Sequence, residues 1–243
     1  MSHSHARRER HVLVTNDDGH DAPGLRALLQ AVDLLGFSAT AVAPLMPMSG
    51  ASRSRRSNVA APWTWGEPIG GHPVIRVAST PAACVIFALT AKVVAPVDLC
   101  LSGINAGPNL GAGLTASGTY GAVLEAAAFG VRGVALSRGF GAGGDAASWD
   151  WTWAQAAAAR ALEHVLSSRS AWLTANINLA DHGGSAPPAF TRLSHASYYR
   201  EVYDAEAGLI RSEAGGYAPQ AIDPEDDIHA FAEQQRTSIT LFG

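Results

Sequence analysis

Segments with strand character alternate with helical segments along most of the chain, and this alternation constrains the fold more than any other feature. The segment HVLVT, residues 11–15, is largely apolar or β-branched, and a helical segment that Pro23 opens and Gly36 ends comes after it. Repeated strand–helix units are joined by right-handed crossovers and form a parallel sheet covered by helices. We therefore predict an α/β fold with a mostly parallel sheet and flanking helices. The predicted strands cover residues 11–15, 37–44, 72–80, 97–103, 132–137 and 172–179, and the predicted helices cover 23–36, 81–92, 119–130 and 148–168.

The pattern changes after Asp181. Three further strands are predicted at residues 191–203, 208–213 and 237–242, with no strong helical segment between them. Strands without helices to cover them leave open edges, and such edges pair with another chain. We predict a disordered tail over residues 1–10, a core over residues 11–180 and a β-rich extension over residues 181–243 that takes part in oligomerisation.

Composition and charge exclude several classes of protein. The 243 residues are 47% hydrophobic, which suffices for one large domain, and the net charge of -4 provides no basic field for a nucleic-acid polymer. No apolar run approaches the roughly 18 residues of a membrane-spanning helix, and the start lacks the apolar segment of a secretory signal. Cys84 and Cys100 lie in apolar runs, as buried free thiols of a reducing compartment do. We expect a cytoplasmic protein without membrane association.

Three polar loops follow the predicted strands at 11–15, 37–44 and 97–103. Ligands bind outside the carboxyl ends of strands in an open parallel sheet, so these loops should meet at one edge. Two adjacent carboxylates raise each other's pKa unless a positive charge lies between them. Carboxylate, hydroxyl and amide oxygens together suit Mg²⁺ or Mn²⁺ and not zinc. In chain order, the loops carry Asn16, Asp17 and Asp18, then Ser49 and Gly50, then Asn105 and Asn109.

An anion site is predicted where the helix at 119–130 begins. Ser117, Gly118 and Thr119 lie at this point, where free N–H groups and the positive end of the helix dipole favour phosphate. An ordinary Ser or Thr N-cap is an equally common explanation, just as NDDG by itself is typical of a turn with a helix cap. A divalent metal that faces an anion site is typical of enzymes that hydrolyse phosphate esters. The three convergent loops favour this hypothesis over an ordinary turn and N-cap.

The segment SRSRR, residues 52–56, places Arg53, Arg55 and Arg56 close to Ser49. Exposed arginines beside an active site can draw anionic substrates towards it, and they can equally form an ordinary solvated surface. Both interpretations stay open at this point.

Several multi-residue motifs occur in a fixed order: VTNDDGHDAPG, VAPLMPMSGAS, STPAACV, DLCLSGINAGPNLG and SGTYGAVLEAAAFG. In this order they resemble the SurE family of stationary-phase survival-protein phosphatases, which hydrolyse nucleoside monophosphates. The resemblance covers residues 11–137 well and returns more faintly at NINL and at DDIHAFAEQQRTSITLF. Any one of these motifs alone would be unspecific, whereas their order makes the resemblance specific.

The resemblance implies a Rossmann-like catalytic core and one divalent metal cation, Mg²⁺ or Mn²⁺. It implies activity on 5′- and 3′-nucleotides, with polyphosphate as a further substrate, and assembly into a homodimer or tetramer partly through the extension. Asn16 and Gly50, which flank the implied ligands, are additional candidates for substrate binding. The implied metal ligands are Asp17, Asp18, Ser49 and Asn105, and the implied phosphate contacts are Asn109, Ser117, Gly118 and Thr119.

Four positions depart from the family pattern. Leu45 replaces an acid after AP, and Ala116 replaces a tyrosine before SGT. Ala83 replaces an aspartate at the third position of the helix that Thr80 should cap, which removes half of a capping box at a cost of roughly 0.5–1 kcal/mol. The sequence ends at Gly243, where relatives continue into a further helix.

The function that these observations favour is metal-dependent hydrolysis of nucleoside monophosphates to nucleoside and phosphate. Asp17 or Asp18 would bind the metal and could serve as the base that activates water. The alternative is a SurE-like nucleotide-binding protein with weak or no catalysis, which Leu45 and Ala83 make plausible. The intact NDDG, SG and GIN motifs argue against that alternative.

Overall fold

The computed structural model describes residues 10–55, 60–140, 145–181, 186–216, 218 and 221–243. The tail predicted over residues 1–10 lies outside this part of the chain except for Arg10, and Arg56 lies outside it too. Within the described residues, no helix has the combined length and apolar character that crossing a membrane requires.

The structure is a nine-stranded mixed sheet, with a separate two-stranded ribbon. The strands are β1 (His11–Thr15), β2 (Ser38–Pro44), β3 (Trp63–Trp65), β4 (Val74–Val77), β5 (Leu99–Ala106), β6 (Gly133–Arg138), β7 (Thr174–Leu179), β8 (Ala189–Thr191), β9 (Tyr199–Asp204), β10 (Leu209–Ala214) and β11 (Ser238–Phe242). The helices are α1 (Pro23–Leu34), α2 (Pro81–Thr90), α3 (Gly118–Ala128) and α4 (Thr152–Ser167). Short 3-10 helices span Ala112–Ala116 and Ala146–Ser148, and a π-helical turn spans His229–Glu233.

The strand order across the large sheet is β3-β4-β2-β1-β5-β6-β7-β11-β8. The strands from β4 through β7 in this order pair in parallel. The predicted α/β fold with a mostly parallel sheet and flanking helices is confirmed, and each strand and helix predicted before residue 180 has a counterpart. The short strand β3, which pairs antiparallel with the outer side of β4, was not predicted.

Side chains of β1 alternate between two apolar layers, one on each face of the sheet. Val12 and Val14 belong to the layer that α1 and α4 cover. Leu13 belongs to the layer that α2 and α3 cover. Burial on both faces explains why the central strands are almost continuously apolar in sequence. The expected cap of α2 is present, because the hydroxyl of Thr80 accepts a hydrogen bond from the backbone N–H of Ala83 at 3.3 Å.

The parallel strands that follow β1 in sequence are added to both of its edges, so the strand order reverses at β1. The next parallel strand, β2, pairs with one edge of β1, whereas β5 pairs with the other edge. The crevice at the carboxyl ends of two such strands is where open α/β sheets bind ligands. The loop after β1 and the loop after β5 both leave the sheet at this point.

The extension after Asp181 contributes to the large sheet as well as to the ribbon. β11 pairs antiparallel with β7, and β8 pairs with the outer side of β11. The extension therefore continues the sheet of the core, because strand pairing brings together segments distant in sequence, and the boundary at residue 180 stays a prediction. The ribbon of β9 and β10 is paired only within itself among the described strands, and it exposes Tyr203, Leu209 and Ile210.

Candidate functional site

The two adjacent acids lie in the turn that follows β1. The side-chain amide of Asn16 donates a hydrogen bond to the carbonyl of Gly19 at 2.8 Å, and Gly19 adopts a φ of 105° that favours glycine. Asn16 is fully buried and Asp17 is nearly so, whereas Asp18 is partly exposed. The turn thus holds one carboxylate inside the protein and presents the next one at the mouth of the crevice.

The loop after β2 is joined to this turn through the backbone. The N–H of Met48 donates to the carbonyl oxygen of Asp17 at 2.7 Å, and the N–H of His20 donates to the carbonyl oxygen of Pro44 at 3.0 Å. Ser49 and Gly50 follow directly and are exposed. The two hydrogen bonds therefore bring the loop that carries Ser49 next to the acidic turn.

The carboxyl end of β5, which extends further than predicted and includes Asn105 and Ala106, reaches the same turn from the other side. The backbone N–H of Ala106 donates to Oδ2 of Asp18 at 3.2 Å. The preceding residue, Asn105, donates its side-chain Nδ2 to the carbonyl oxygen of Gly107 at 2.7 Å. Because this bond occupies the nitrogen, the carbonyl oxygen Oδ1 is the atom of Asn105 that suits a metal ligand.

The beginning of α3 packs directly on Asp17. The hydroxyl of Thr119 donates to Oδ1 of Asp17 at 2.6 Å, and the hydroxyl of Ser117 accepts from the N–H of Tyr120 at 3.1 Å as an N-cap. A Cβ on Gly118 would lie only 2.8 Å from Oδ2 of Asp17 and 3.0 Å from its Cβ, so only glycine allows this approach. The predicted anion site and the predicted metal site are therefore in contact.

Burial changes the protonation of both acids. Loss of hydration raises the pKa of Asp17 to about 6, with a further upward contribution from Asp18, while the hydrogen bond from Thr119 opposes the shift. Loss of hydration also raises the pKa of Asp18, and the hydrogen bond from Ala106 opposes it. Both carboxylates are thus costly to ionise in the absence of a nearby positive charge, and a bound cation would remove that cost.

Asn109 occupies a different network from the one that surrounds the acids. Its backbone N–H donates to the side-chain oxygen of Asn178 at 2.8 Å, and its own Nδ2 donates to the hydroxyl of Ser137 at 2.8 Å. Its carbonyl oxygen accepts from the side chains of Asn176 and Asn178. The structure thus anchors Asn109 to β6 and β7, and NINL was the sequence signal that could have indicated these partners, since it places two asparagines on one face of a buried strand.

Glu125 of α3 is a buried acid that pairs with the arginine-rich loop. Its side chain is fully buried and contacts Nε of Arg53 at 2.9 Å and Nη2 of Arg55 at 2.8 Å. The two arginines come from the loop that carries Ser49, so their ion pairs fasten this loop to α3. Arg53 and Arg55 are therefore neither an ordinary solvated surface nor a free basic patch that attracts substrates, because both are paired with a buried carboxylate.

Asp227 is a further buried acid that the sequence did not single out. Its carboxylate accepts hydrogen bonds from the backbone N–H groups of Gly111 at 2.9 Å, Ser194 at 3.0 Å and Ile228 at 2.9 Å. It therefore holds the loop between Asn109 and α3 to two segments of the extension. A second pair of adjacent aspartates, DD at 226–227, was the only sequence signal for it.

The oxygen donors at the crevice fit a hard divalent cation. Two carboxylates, the hydroxyl of Ser49 and the amide oxygen of Asn105 are its candidate ligands, and Oδ1 of Asn16 is a buried oxygen without a hydrogen-bond donor among the described residues. Within the same part of the chain, no group of three or more His, Cys, Asp and Glu side chains is placed to hold a metal. The donor set thus suits Mg²⁺ or Mn²⁺ with several waters and does not suit zinc.

Comparison with known proteins identifies several relatives that carry the name SurE. The family model described as "Survival protein SurE" matches residues 12–200. The 5'-nucleotidase SurE of Halobacterium salinarum is 44% identical over 131 residues, which are 53% of this chain and 47% of that protein. The protein of the same name from Chloroflexus aggregans is 40% identical over 129 residues, 53% of this chain and 50% of that protein. The chain thus spans about half the length of the curated relatives it matches.

A solved structure supports the fold over nearly the whole chain. The crystal structure of the SurE protein from Aquifex aeolicus aligns with a TM-score of 0.70 at 24% sequence identity, covering 95% of this chain and 92% of that one. The family model matches more than three quarters of the chain and includes the acidic turn, all three loops and the start of α3. The chain therefore belongs to the SurE family.

Proposed function

We propose that this chain is a divalent-metal-dependent phosphomonoesterase that hydrolyses nucleoside 5′- and 3′-monophosphates to nucleoside and phosphate. One observation carries the proposal: at the carboxyl edge of the sheet, the end of β5 donates to the carboxylate of Asp18 and the first turn of α3 donates to that of Asp17, while the loop that carries Ser49 donates to the backbone carbonyl of Asp17. The names of the matched relatives, 5'-nucleotidase SurE, support the same substrate class. Polyphosphate is a further substrate that this site chemistry would admit.

In the proposed site, Asp17, Asp18, Ser49 and Asn105 would hold one Mg²⁺ or Mn²⁺. This cation would neutralise phosphate charge and lower the pKa of the attacking water. The backbone N–H groups of Gly118 and Thr119 and the hydroxyl of Ser117 would bind phosphate oxygens at the positive end of α3, since the backbone N–H of Ser117 already donates to the carbonyl oxygen of Leu114. Asn16, Gly50 and Asn109 are the remaining candidates for substrate contacts.

The chemical step breaks the P–O ester bond to the nucleoside and forms a P–O bond to the oxygen of water. A carboxylate oxygen of Asp17 or Asp18 would take the water proton and pass it to the leaving oxygen, so that the nucleoside leaves as an alcohol and the phosphorus leaves as inorganic phosphate. The contacts of buried Asp17 with Thr119 and Gly118 at the start of α3 support this proposed acid–base role, because they bring its carboxylate next to the proposed phosphate site. Water is excluded from one side of this site because Gly118 lies directly on the carboxylate.

The test is hydrolysis of AMP and of p-nitrophenyl phosphate by the purified protein with Mn²⁺ or Mg²⁺, and again with EDTA. We expect phosphate release that EDTA abolishes and that Asp17→Asn abolishes. Asp21→Asn is the matched control, because Asp21 lies in the same loop with its side chain 76% exposed. Nucleotide binding without turnover in the presence of metal would indicate the binding-protein alternative, and activity unchanged by EDTA would overturn the metal dependence.

We also propose that two copies associate through the extension, as a homodimer or as part of a tetramer. The ribbon of β9 and β10 supports this, because a two-stranded ribbon is marginally stable in water and this one exposes Tyr203, Leu209 and Ile210. Light scattering of the full chain and of a chain with these three residues changed to Ser tests it. A full-length monomer would defeat the proposal.

We propose a reducing, cytoplasmic location as well, which the buried free thiols of Cys84 and Cys100 support.

A further inference from the structure

A cluster of aromatic rings lies beside the loop that follows β5. Arg138, the last residue of β6, pairs with Ala106 of β5, and Phe140 follows two residues later. A Cβ on Gly107 would lie 2.8 Å from Cε1 of Phe140, so the ring rests directly on the Gly107 backbone. The hydroxyl of Tyr199 donates to the carbonyl oxygen of Pro108 at 2.8 Å. Two rings, from β9 and from the end of β6, therefore border one of the three site loops.

The rings are held in fixed relative positions. Phe140 meets Trp149 edge-on with centroids 6.5 Å apart, and it meets Tyr199 edge-on at 6.2 Å. Trp149 stacks on Trp151 at 6.1 Å, and the buried guanidinium of Arg138 lies 4.9 Å from the first of these rings and 4.8 Å from the second. The guanidinium also donates to the carbonyl oxygen of Asp150 at 2.7 Å. Aromatic rings that are held in place in this way lose little side-chain entropy when a ligand binds to them.

Phe140 is the most exposed ring of the cluster, since Trp149, Trp151 and Tyr199 are half-buried. Phe140 is 37% exposed, although Gly107 beneath it and Arg138 two residues before it are buried. An exposed aromatic ring that borders a polar, phosphate-binding crevice has the chemistry that stacks a nucleobase. A nucleoside monophosphate joins a phosphate to a flat aromatic base through one sugar, so the ring and the phosphate site would be used together.

We propose that Phe140, flanked by Trp149 and Tyr199, is the surface on which the base of a nucleotide stacks. This subsite rests on the proposed function, because the phosphate must lie at Asp17 and the start of α3 for the base to reach the ring. Stacking uses the face that every base has, so the subsite accepts several bases and favours purines, which offer the larger face. Tyr199 would make the extension a contributor to substrate binding.

The test compares a nucleotide with a phosphate ester that lacks a base. Binding of AMP and of ribose 5-phosphate is measured by calorimetry with Mn²⁺, and KM is measured for the same pair. Phe140→Ala should raise the Kd of AMP at least about fivefold relative to that of ribose 5-phosphate, and Phe140→Trp should restore the difference. Phe129→Ala is the matched control, since Phe129 is 45% exposed but lies at the far end of α3.

Equal weakening of both ligands by Phe140→Ala would overturn the proposal, because it would mean that the ring only positions the Gly107 loop. An unchanged Kd for AMP would overturn it too, and melting curves of each variant confirm that it is folded. The calorimetric result does not depend on turnover. Binding of AMP that depends on Phe140 without any hydrolysis would therefore support the subsite while defeating the proposed hydrolase function.

Discussion

Two pairs of adjacent aspartates occur in this chain, and they have opposite surroundings. The carboxylate of Asp227 accepts three backbone N–H groups, from Gly111, Ser194 and Ile228. The carboxylate of Asp18, in contrast, accepts one backbone N–H among the described residues, from Ala106 at the longer distance of 3.2 Å. A carboxylate with filled acceptor sites has little capacity for a cation, whereas one with free oxygens can still bind a metal.

The pKa shifts do not separate the two pairs, but the hydrogen bonds do. Burial raises the pKa of Asp227 just as it raises the pKa values of Asp17 and Asp18. Near Asp227 three fixed N–H groups oppose that shift, and they belong to segments that the acid holds together. A buried acid therefore indicates a ligand site only where the protein supplies few donors of its own.

The largest expected effect is on catalysis at the first pair. Asp17→Asn keeps the side-chain shape and the acceptor for Thr119 but removes a charged metal ligand, so we expect activity on AMP to fall about a thousandfold or more. Asp18→Asn should act alike, and Ser49→Ala should be milder because water can replace a neutral ligand. Initial rates with saturating Mn²⁺ measure these effects.

The same Asp17→Asn variant should not be less stable than the wild type in EDTA at pH 7. Ionised Asp17 is unfavourable in the folded state, because its pKa is raised to about 6, and the substitution removes that charge. Thermal melts with and without Mn²⁺ check this, and the Mn²⁺-dependent rise in Tm should largely disappear. Normal activity together with a normal Mn²⁺ rise would show that the first pair is only a turn and does not differ from the second pair in binding a cation.

The fold and the first acidic pair were predictable from the sequence for the same physical reason. Strand–helix alternation is local, and it determines which edge of a parallel sheet carries the loops after strands, so the position of Asp17 at that edge follows from the sequence pattern. β3 was missed because three exposed residues carry too short a pattern. Asp227 was missed because its partner Gly111 lies 116 residues away, and no local pattern predicts such a contact. The pairing of β11 with β7 is non-local in the same way.

The second expected effect is on stability at the second pair. Asp227→Ala leaves three backbone N–H groups without acceptors, so we expect a loss of about 3 kcal/mol in the free energy of unfolding. The loss in the free energy of unfolding for Asp227→Asn should lie between zero and the loss for Asp227→Ala, because one amide oxygen can still accept from two of the three donors. Urea unfolding monitored by circular dichroism measures both. Asp223→Ala is the exposed control, and a loss for Asp227→Ala no larger than the control's would contradict the structural assignment.

A smaller effect follows from pH. The folded-state pKa of Asp17 lies above that of the unfolded chain, so the folded state binds the proton more tightly. Stability of the metal-free protein should therefore rise as pH falls from 7 to 5, by about 1 kcal/mol from this group. Melts in EDTA across this range test it, with Asp17→Asn as the reference that subtracts all other groups. A wild-type curve that matches the variant's would show that Asp17 titrates normally.

The smallest effect concerns Glu125, whose surroundings are intermediate between those of the two aspartate pairs. Its carboxylate has partners within the protein, as Asp227 has, but these partners are side chains and not backbone N–H groups. Its carboxylate is buried, but Arg53 and Arg55 have side chains that are 39% and 51% exposed. In Glu125→Gln the buried charge disappears and the arginines return to water, so no unpaired charge is left inside the protein. We expect a stability loss of at most about 1 kcal/mol, because exposed partners contribute little.

The consequence of Glu125→Gln for substrate binding should exceed its consequence for stability, since the ion pairs fasten the loop that carries Ser49. KM for AMP should rise roughly two- to threefold with kcat nearly unchanged, as expected when a binding loop is held less firmly. Glu163→Gln on the exposed face of α4 is the matched control. If Glu125→Gln instead lowers the free energy of unfolding as much as Asp227→Ala does, side-chain and backbone donors are equivalent in this fold. The distinction between a carboxylate that holds segments together and one that remains open to a cation would then rest on burial alone.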